Sequence, residues 1–246
     1  MCVMPLVEPS SGSGLIIDRR RFVAAAVTTG VVGYIPRLAI SPPARPPFSL
    51  PFEAPPSADT WFISQWYGNT AFAHQMRDDF YESGQGLHFG LDFATPCHTP
   101  VIAIGDGVVR EVDGLRRAWP HHVILKHTGG VYSLYGHLHD RSTLRIGEKI
   151  RQGEQIGVTG DSAARHCSGS PHLHLEIRTD RLRGATNPVL WIEADWPTTT
   201  LGLTEAHFQM DLSNPTRWQS IYTQPDIKFW GPVLNRYAES WPSTSI

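Results

Sequence analysis

Short apolar runs broken by glycine fill the middle of the chain and constrain its fold more than any other feature. They include GLHFGLDF, TPVIAIGDGVVREVDG, HHVILKHTGGVYSLYGHL and LRIGEKIRQGEQIGVTG, whereas windows with helical periodicity are few after Arg77. Runs of this length between turn residues are typical of strands. The segment Thr128-Gly129-Gly130-Val131 has the composition of a tight hairpin turn, which joins two antiparallel strands. The sequence therefore predicts a mainly β fold, an antiparallel sheet with few helices.

The composition is that of a globular protein with no charge signature for nucleic acid. Of the 246 residues, 41% are hydrophobic and 18% are charged, which is sufficient to bury a core. The 21 basic and 23 acidic side chains leave a formal charge of −2, so no nucleic-acid partner is expected. Histidine is concentrated in one part of the chain, because eleven of the twelve histidines lie between His74 and His174. We therefore expect any histidine chemistry in that part of the chain.

The first 40 residues have the features of an export signal. An arginine cluster, residues 19–21, precedes the apolar stretch Phe22 to Ile35, which is too short to span a bilayer as a helix. The paired arginines followed by Phe and Val resemble the twin-arginine type of signal, and a frayed helix or a membrane anchor is the alternative. We therefore expect a bacterial periplasmic or extracellular protein without a stable membrane span.

The rest of the chain divides into three segments. Residues 41–60 are so rich in proline that they suit an extended linker or a wrapping arm. The folded unit is expected to cover residues 61–193, beginning at Trp61. Residues 194–246 form an extension with four tryptophans, which either pack back onto the sheet or stack on glycan rings: Trp196, Trp218, Trp230 and Trp241.

Cys97 and Cys167 are the two cysteines of the expected mature chain, since Cys2 precedes the signal. An even number of cysteines in an oxidising compartment favours a disulfide between them. A zinc site that uses both thiolates is a competing interpretation, although no C-x-x-C spacing supports it. Two free buried thiols are the third alternative.

The segment PHLHLEIR, residues 171–178, predicts a strand that carries two neighbouring imidazoles. Side chains at positions i and i+2 of a strand point to the same face, so His172 and His174 share one face. We expect that face to be exposed and the leucine-bearing face to be buried. Glu176 shares the histidine face, where it either orients a metal ligand or is a simple surface carboxylate.

His88 and Asp92 in GLHFGLDF form a second pattern. Four residues apart on a regular strand, they share a face and can bind one metal ion. Hydrolytic zinc sites use three protein ligands and keep a fourth position for water, and a histidine of HLH is the natural third ligand. The other imidazole of HLH then stays unligated beside the metal, as does His137 in SLYGHLHD. The remaining histidines of this region are expected to be solvated or capping residues: His74, His98, His121, His122, His127, His139 and His166.

These motifs, in this order, carry a resemblance to a known family. His88-x-x-x-Asp92, YGH at residues 135–137 and HLH at residues 172–174 resemble the lysostaphin-type (LytM-type) zinc metalloendopeptidases, which cut peptides of bacterial peptidoglycan. The resemblance covers residues 61–191 and includes DFATP, GDGVV and NPVLWI. It implies the lysostaphin-type fold, in which an antiparallel sheet with lipoyl-like barrel-sandwich features forms an open groove.

The resemblance also implies the roles of five residues. It gives one zinc ion per chain, with His88, Asp92 and His174 as ligands and with His137 and His172 as an unligated catalytic pair. Zinc-bound water is expected to attack a peptide bond in a stem or cross-bridge peptide, while the imidazoles activate the water and stabilise the oxyanion.

Two features depart from the family pattern. A cross-link between Cys97 and Cys167 would tie two loops near the groove. The insertion-like residues 65–85, which precede His88, are expected to form a wall or lid over the groove.

Two other functions are considered. The first is a non-catalytic relative that binds peptidoglycan or activates another hydrolase, but such relatives generally lack metal ligands. The second is a lipoyl-like carrier module, suggested by GEKIRQGEQIG, which would leave the histidines without a role.

Overall fold

A computed structural model describes residues 41–115, 118–162, 167–201, 208–214 and 216–236. The expected export signal, His166 and Trp241 lie outside these residues. All described residues belong to one compact unit, residues 40–246. None of the helices in the described ranges has the length and apolar character needed to cross a membrane.

Short strands make up most of the regular structure, and the helices are single turns. The strands are β1 Phe62–Gln65, β2 Leu91–Ala94, β3 Pro100–Ile102, β4 Gly107–Val112, β5 His121–Lys126, β6 Tyr132–Leu138, β7 Lys149–Ile150, β8 Gln155–Val158, β9 His172–Thr179, β10 Gly184–Thr186, β11 Phe208–Met210, β12 Trp218–Ser220 and β13 Ile227–Lys228. The helix α1 covers Ala71–Gln75, and 3-10 turns cover Glu82–Gly84, Thr128–Gly130, Asp180–Leu182, Pro188–Leu190 and Thr198–Thr200. The prediction of a mainly β fold with few helices is confirmed.

One antiparallel sheet of nine strands organises these elements. Its main order is β1-β2-β9-β6-β5-β4-β7, and β10 joins β9 to β13. The pairs β3–β8 and β11–β12 form two separate ribbons. The hairpin between β5 and β6 closes at Thr128–Gly130, as its glycine pair predicts. The long strand β9 therefore lies between β2 and β6, and residues on these three strands are brought together.

Alternation along β9 separates its side chains into two faces. The apolar face packs into the main core with three fully buried residues: Leu173, Leu175 and Ile177. Burial of each such side chain contributes about 1.5–3 kcal/mol. On the opposite face, His174, Glu176 and Arg178 are also buried. The expectation that the histidine face is exposed is therefore wrong for these three residues.

Aromatic side chains cover this polar face. The guanidinium of Arg178 lies 4.4 Å from the centre of the Phe229 ring, and Phe89 packs 5.4 Å from Phe229 and 5.5 Å from the His174 ring. Phe229 directly follows β13, which pairs with β10 in the main sheet. Part of the C-terminal extension therefore excludes water from the polar face of β9.

Aromatic residues from both ends of the described chain pack into the core, although one of them is exposed. Phe48 and Phe52, within the proline-rich segment, are buried in the main core. In the extension, Trp196 is buried and packs edge-on against Trp66. Trp230, in contrast, is 75% exposed. The core therefore includes residues on both sides of the segment 61–193.

Candidate metal and catalytic site

Three donor atoms from distant parts of the sequence converge at one point. His88 Nε2 lies 3.3 Å from Asp92 Oδ1 and 3.2 Å from His174 Nδ1, and His174 Nδ1 lies 2.7 Å from Asp92 Oδ1. All three side chains are buried. A zinc ion with bonds of about 2.1 Å holds tetrahedral donors about 3.4 Å apart, so this donor set fits zinc.

The sheet fixes two of these residues by register. Asp92 on β2 lies directly opposite His174 on β9. His88 precedes β2 and forms an isolated bridge with Gly68, so the expectation that His88 and Asp92 share one regular strand is wrong in detail. Between them, a Cβ at Gly90 would lie 2.7 Å from both His174 Cε1 and the Leu175 carbonyl oxygen. A glycine is therefore needed where this backbone approaches His174.

A backbone carbonyl sets the tautomer of His88. Its Nδ1 lies 2.7 Å from the Trp66 carbonyl oxygen, which can only accept a hydrogen bond. The proton therefore sits on Nδ1, and Nε2 offers its lone pair to a metal. Tyr81 packs edge-on 5.5 Å from the same imidazole. Residues 65–85 thus support a proposed ligand from one side of the site.

His137 and His172 lie side by side next to this donor set. Their ring centres are 4.6 Å apart, and His137 lies 5.7 Å from His174. His172 Nδ1 donates to the Ser170 carbonyl oxygen at 2.7 Å, and His137 Nδ1 donates to the Trp119 carbonyl oxygen. Both imidazoles therefore keep Nε2 as their basic nitrogen. His137 also has a left-handed backbone, with φ of 60°, a strained conformation that is enriched at functional sites.

Glu176 lies behind His174. Its Oε1 is 3.4 Å from His174 Nε2, and its two oxygens accept hydrogen bonds of 2.6 and 3.0 Å from Arg178. Because Glu176 is only 1% exposed, the alternative of a simple surface carboxylate is wrong. A carboxylate in this position orients the imidazole and raises its basicity at the other nitrogen.

Burial and mutual charge shift the pKa values of these groups. Burial alone would raise the pKa of Asp92, but His88 and His174 hold it well below its usual range. Burial would lower the pKa of His174, but the hydrogen bond to Asp92 and the contact with Glu176 raise it to about 9. Burial and the neighbouring imidazoles of His172 and His174 lower the pKa of His137 to about 3. His137 is therefore neutral at physiological pH.

The cysteines and several other histidines lie elsewhere in the fold. Cys97 and Cys167 are joined by a disulfide, with their Cα atoms 5.8 Å apart. Three histidines are buried, so the expectation that they are solvated is wrong: His74, His122 and His127. His127 illustrates the reason, because both of its ring nitrogens have hydrogen-bonding partners inside the sheet, the Asp106 carbonyl oxygen and the Ser133 hydroxyl.

Comparison with known proteins identifies relatives of this region. The sequence model of peptidase family M23 matches residues 86–188. The DD-carboxypeptidase/endopeptidase Mpg of Neisseria meningitidis is 39% identical over 92 residues, which cover 37% of this chain and 20% of Mpg. The peptidoglycan DD-endopeptidase ShyC of Vibrio cholerae is 36% identical over 90 residues, which cover 37% of this chain and 20% of ShyC. The chain thus spans about a fifth of the length of these relatives.

Two solved structures match parts of this chain. A zinc-containing peptidase from Vibrio cholerae is 26% identical with a TM-score of 0.44, covering 61% of this chain and 40% of that one. The catalytic domain of lysostaphin from Staphylococcus simulans is 23% identical with a TM-score of 0.41, covering 52% and 90%. The family match covers all three metal-binding candidates and both neighbouring histidines. Residues 86–188 are thus similar to peptidase family M23, in agreement with the resemblance that the motifs carry.

Proposed function

We propose that the chain is an exported zinc-dependent endopeptidase that hydrolyses peptide bonds in the stem or cross-bridge peptides of peptidoglycan. The observation that carries this proposal is the convergence of three buried donor atoms, within 3.3 Å of one another, beside two imidazoles with fixed tautomers. The names of the relatives support the substrate class, because ShyC is named a peptidoglycan DD-endopeptidase. A D,D-bond in a peptide cross-link is therefore the first substrate to assay.

His88, Asp92 and His174 would hold the zinc ion. Two imidazole nitrogens and one carboxylate oxygen form a donor set of the catalytic type, which leaves one coordination position for water or substrate. When bound, zinc supplies Lewis acidity that polarises a carbonyl and lowers the pKa of water to about 7. Glu176 would keep the His174 ring in its ligating orientation.

His137 and His172 would handle the protons of hydrolysis. Their Nδ1 protons are held by backbone carbonyl oxygens, so Nε2 is the nitrogen that accepts a proton from the attacking water. The imidazole that accepts this proton becomes an N–H donor. It can then stabilise the developing oxyanion or return the proton to the leaving amine.

Export is part of the proposal. Peptidoglycan lies outside the cytoplasmic membrane, and the disulfide between Cys97 and Cys167 is of the kind that persists in oxidising compartments. The arginine-containing N-terminal segment supports the same location.

The test combines metal analysis with hydrolysis. Purified oxidised protein is expected to contain about one zinc ion per chain and to cleave purified sacculi and a D,D-cross-linked peptide. The His88→Ala variant is expected to lose both zinc and activity. His121→Ala is the matched control, because His121 forms its ring contact with Asp113, away from the donor set.

Each alternative outcome has a distinct meaning. If His88→Ala retained both zinc and activity, the ligand assignment would be refuted. If the wild-type protein bound zinc and sacculi without releasing peptide fragments, it would be a non-catalytic relative instead.

A further inference from the structure

A second group of metal-ligating side chains lies outside the site described above. Cys97, His98, His139 and Cys167 each offer one donor atom, and these four atoms lie within 4.8 Å of one another. They come from three loops: the connection between β2 and β3, the residue after β6, and the connection between β8 and β9. The sequence shows no C-x-x-C spacing because the fold, rather than local sequence, assembles the group.

Backbone hydrogen bonds hold two of these loops against the end of β8. The His98 amide donates to the Thr159 carbonyl oxygen at 2.9 Å, and the His139 amide donates to the Val158 carbonyl oxygen at 2.9 Å. The Thr159 hydroxyl donates to the Pro96 carbonyl oxygen at 3.0 Å. The backbone at His98 and His139 is therefore held by the end of β8, which belongs to the β3–β8 ribbon.

The two imidazoles of this group are in direct contact. The ring centres of His98 and His139 lie 4.1 Å apart, with an angle of 68° between the ring planes. His139 Nδ1 is 3.1 Å from the Asp140 carboxylate, which leaves Nε2 as the nitrogen for a metal. A carboxylate on the distal nitrogen of a histidine is the usual outer partner of a zinc ligand.

We propose that Cys97, His98, His139 and Cys167 form a second zinc site when the cysteines are reduced, and that this site and the disulfide are alternative cross-links of the same loops. A disulfide requires only the two sulfur atoms and leaves the convergence of two imidazoles unexplained. Two thiolates and two imidazoles are a complete tetrahedral set, typical of structural zinc sites. The catalytic donor set differs, since it has three ligands and no sulfur.

Conversion of the disulfide into the zinc site requires an external reductant. A dithiol gives two electrons to the Cys97–Cys167 disulfide and itself becomes a disulfide, which leaves two protein thiols. Each thiol loses one proton as its sulfur binds Zn²⁺, and the two imidazoles bind as neutral ligands. The two thiolates neutralise the charge of the ion.

The cross-link has a consequence for the catalytic imidazoles. Cys167 precedes His172 by five residues, and His139 follows His137 by two. Either cross-link therefore ties together loops that lead directly into the catalytic pair. Structural zinc would maintain this arrangement in a protein whose disulfide has been reduced.

Cobalt substitution tests the site directly, because thiolate ligands give cobalt a charge-transfer absorption that nitrogen and oxygen ligands do not. The metal-free full chain is titrated with Co²⁺ in the oxidised state and after reduction with a phosphine, which takes up oxygen from water as it releases the two thiols. Reduction is expected to add about one cobalt ion per chain, with intense tetrahedral bands and a thiolate-to-cobalt band. The measured quantity is the difference in bound cobalt per chain between the reduced and the oxidised protein. This difference does not depend on metal binding at His88, Asp92 and His174.

Variants identify the ligands. The double variant His98→Ala/His139→Ala keeps both cysteines and is expected to lose the added tetrahedral cobalt ion, whereas His121→Ala is expected to keep it. No increment in the reduced wild-type protein, or an unchanged spectrum and affinity in the double variant, would overturn the proposal. The wild-type titration decides the question even if the double variant does not fold.

Discussion

Replacement of Glu176 by glutamine is the most informative single change near the candidate metal site. The substitution keeps the shape of the side chain but removes the negative charge between His174 and Arg178, whose contacts with Glu176 are 3.4 Å and 2.6 Å. Arg178 is then left as a buried cation without its partner. His174 loses the carboxylate that raises its basicity as a ligand. We expect both stability and metal affinity to fall.

The magnitude of the stability loss follows from the pKa of Glu176. Burial would raise this pKa, but Arg178 and His174 outweigh burial and lower it to about 2, from a usual value of 4.5. This difference corresponds to about 3 kcal/mol in the free energy of unfolding at neutral pH. Because the pKa is lower in the folded chain, the stabilisation is present above pH 4.5 and is lost as the pH falls towards 2.

Two measurements on Glu176→Gln test these expectations. Chemical denaturation of the metal-free protein at pH 7 should show a free energy of unfolding lower by about 2–3 kcal/mol, since glutamine keeps part of the hydrogen bonding. Zinc affinity, measured by competition with a chromophoric chelator, should fall about 10- to 100-fold. Glu154→Gln is the control, because Glu154 is exposed and caps a turn at Arg151. If Glu176→Gln matched this control in both measurements, the orienting role of Glu176 would be refuted.

Three further changes probe the site. His172→Ala should lower kcat about 10²- to 10⁴-fold and keep the zinc content, and a parallel loss of zinc would mean that His172 is itself a ligand. Gly90→Ala should lower zinc affinity because its Cβ would lie 2.7 Å from His174 Cε1. Gly169→Ala is the control and should leave zinc affinity unchanged, because its Cβ would lie 3.4 Å from Asp161 Oδ2. Equal zinc affinities in the two variants would contradict the packing argument. Phe229→Ala should lower the midpoint of thermal unfolding by uncovering Arg178, and an unchanged midpoint would show that Phe229 does not shield this face.

Short-range patterns in the sequence predict the β architecture, and the resemblance carried by the motifs implies the roles of the five candidate residues. Alternation in PHLHLEIR predicts that His172 and His174 share one face of a strand, and the structure has both residues in strand β9. The order of the three motifs then carries the resemblance to the family. The register of the sheet brings two of these residues together, since Asp92 on β2 pairs directly with His174 on β9.

What the sequence does not predict depends on long-range packing. The tautomer of His88 is set by the Trp66 carbonyl oxygen, and no local pattern indicates that contact. His98 and His139 were expected to be solvated or capping residues, because their proximity to the two cysteines arises only when three loops meet at the end of β8. A search for pairs of histidine and cysteine at loop positions beside the same strand would have found this signal.

The buried polar face of β9 gives the C-terminal extension an electrostatic role. Phe229, with Phe89, covers the row formed by His174, Glu176 and Arg178. Charges in a site of low dielectric interact more strongly than charges in water, so covering the row strengthens the effect of Glu176 on His174. The same covering makes an unpaired charge costly, and Arg178 meets this requirement through its two hydrogen bonds with Glu176. Phe229 lies outside residues 86–188, which match the peptidase family M23 model, so we expect the basicity of a proposed zinc ligand inside the matched region to depend in part on a residue outside it.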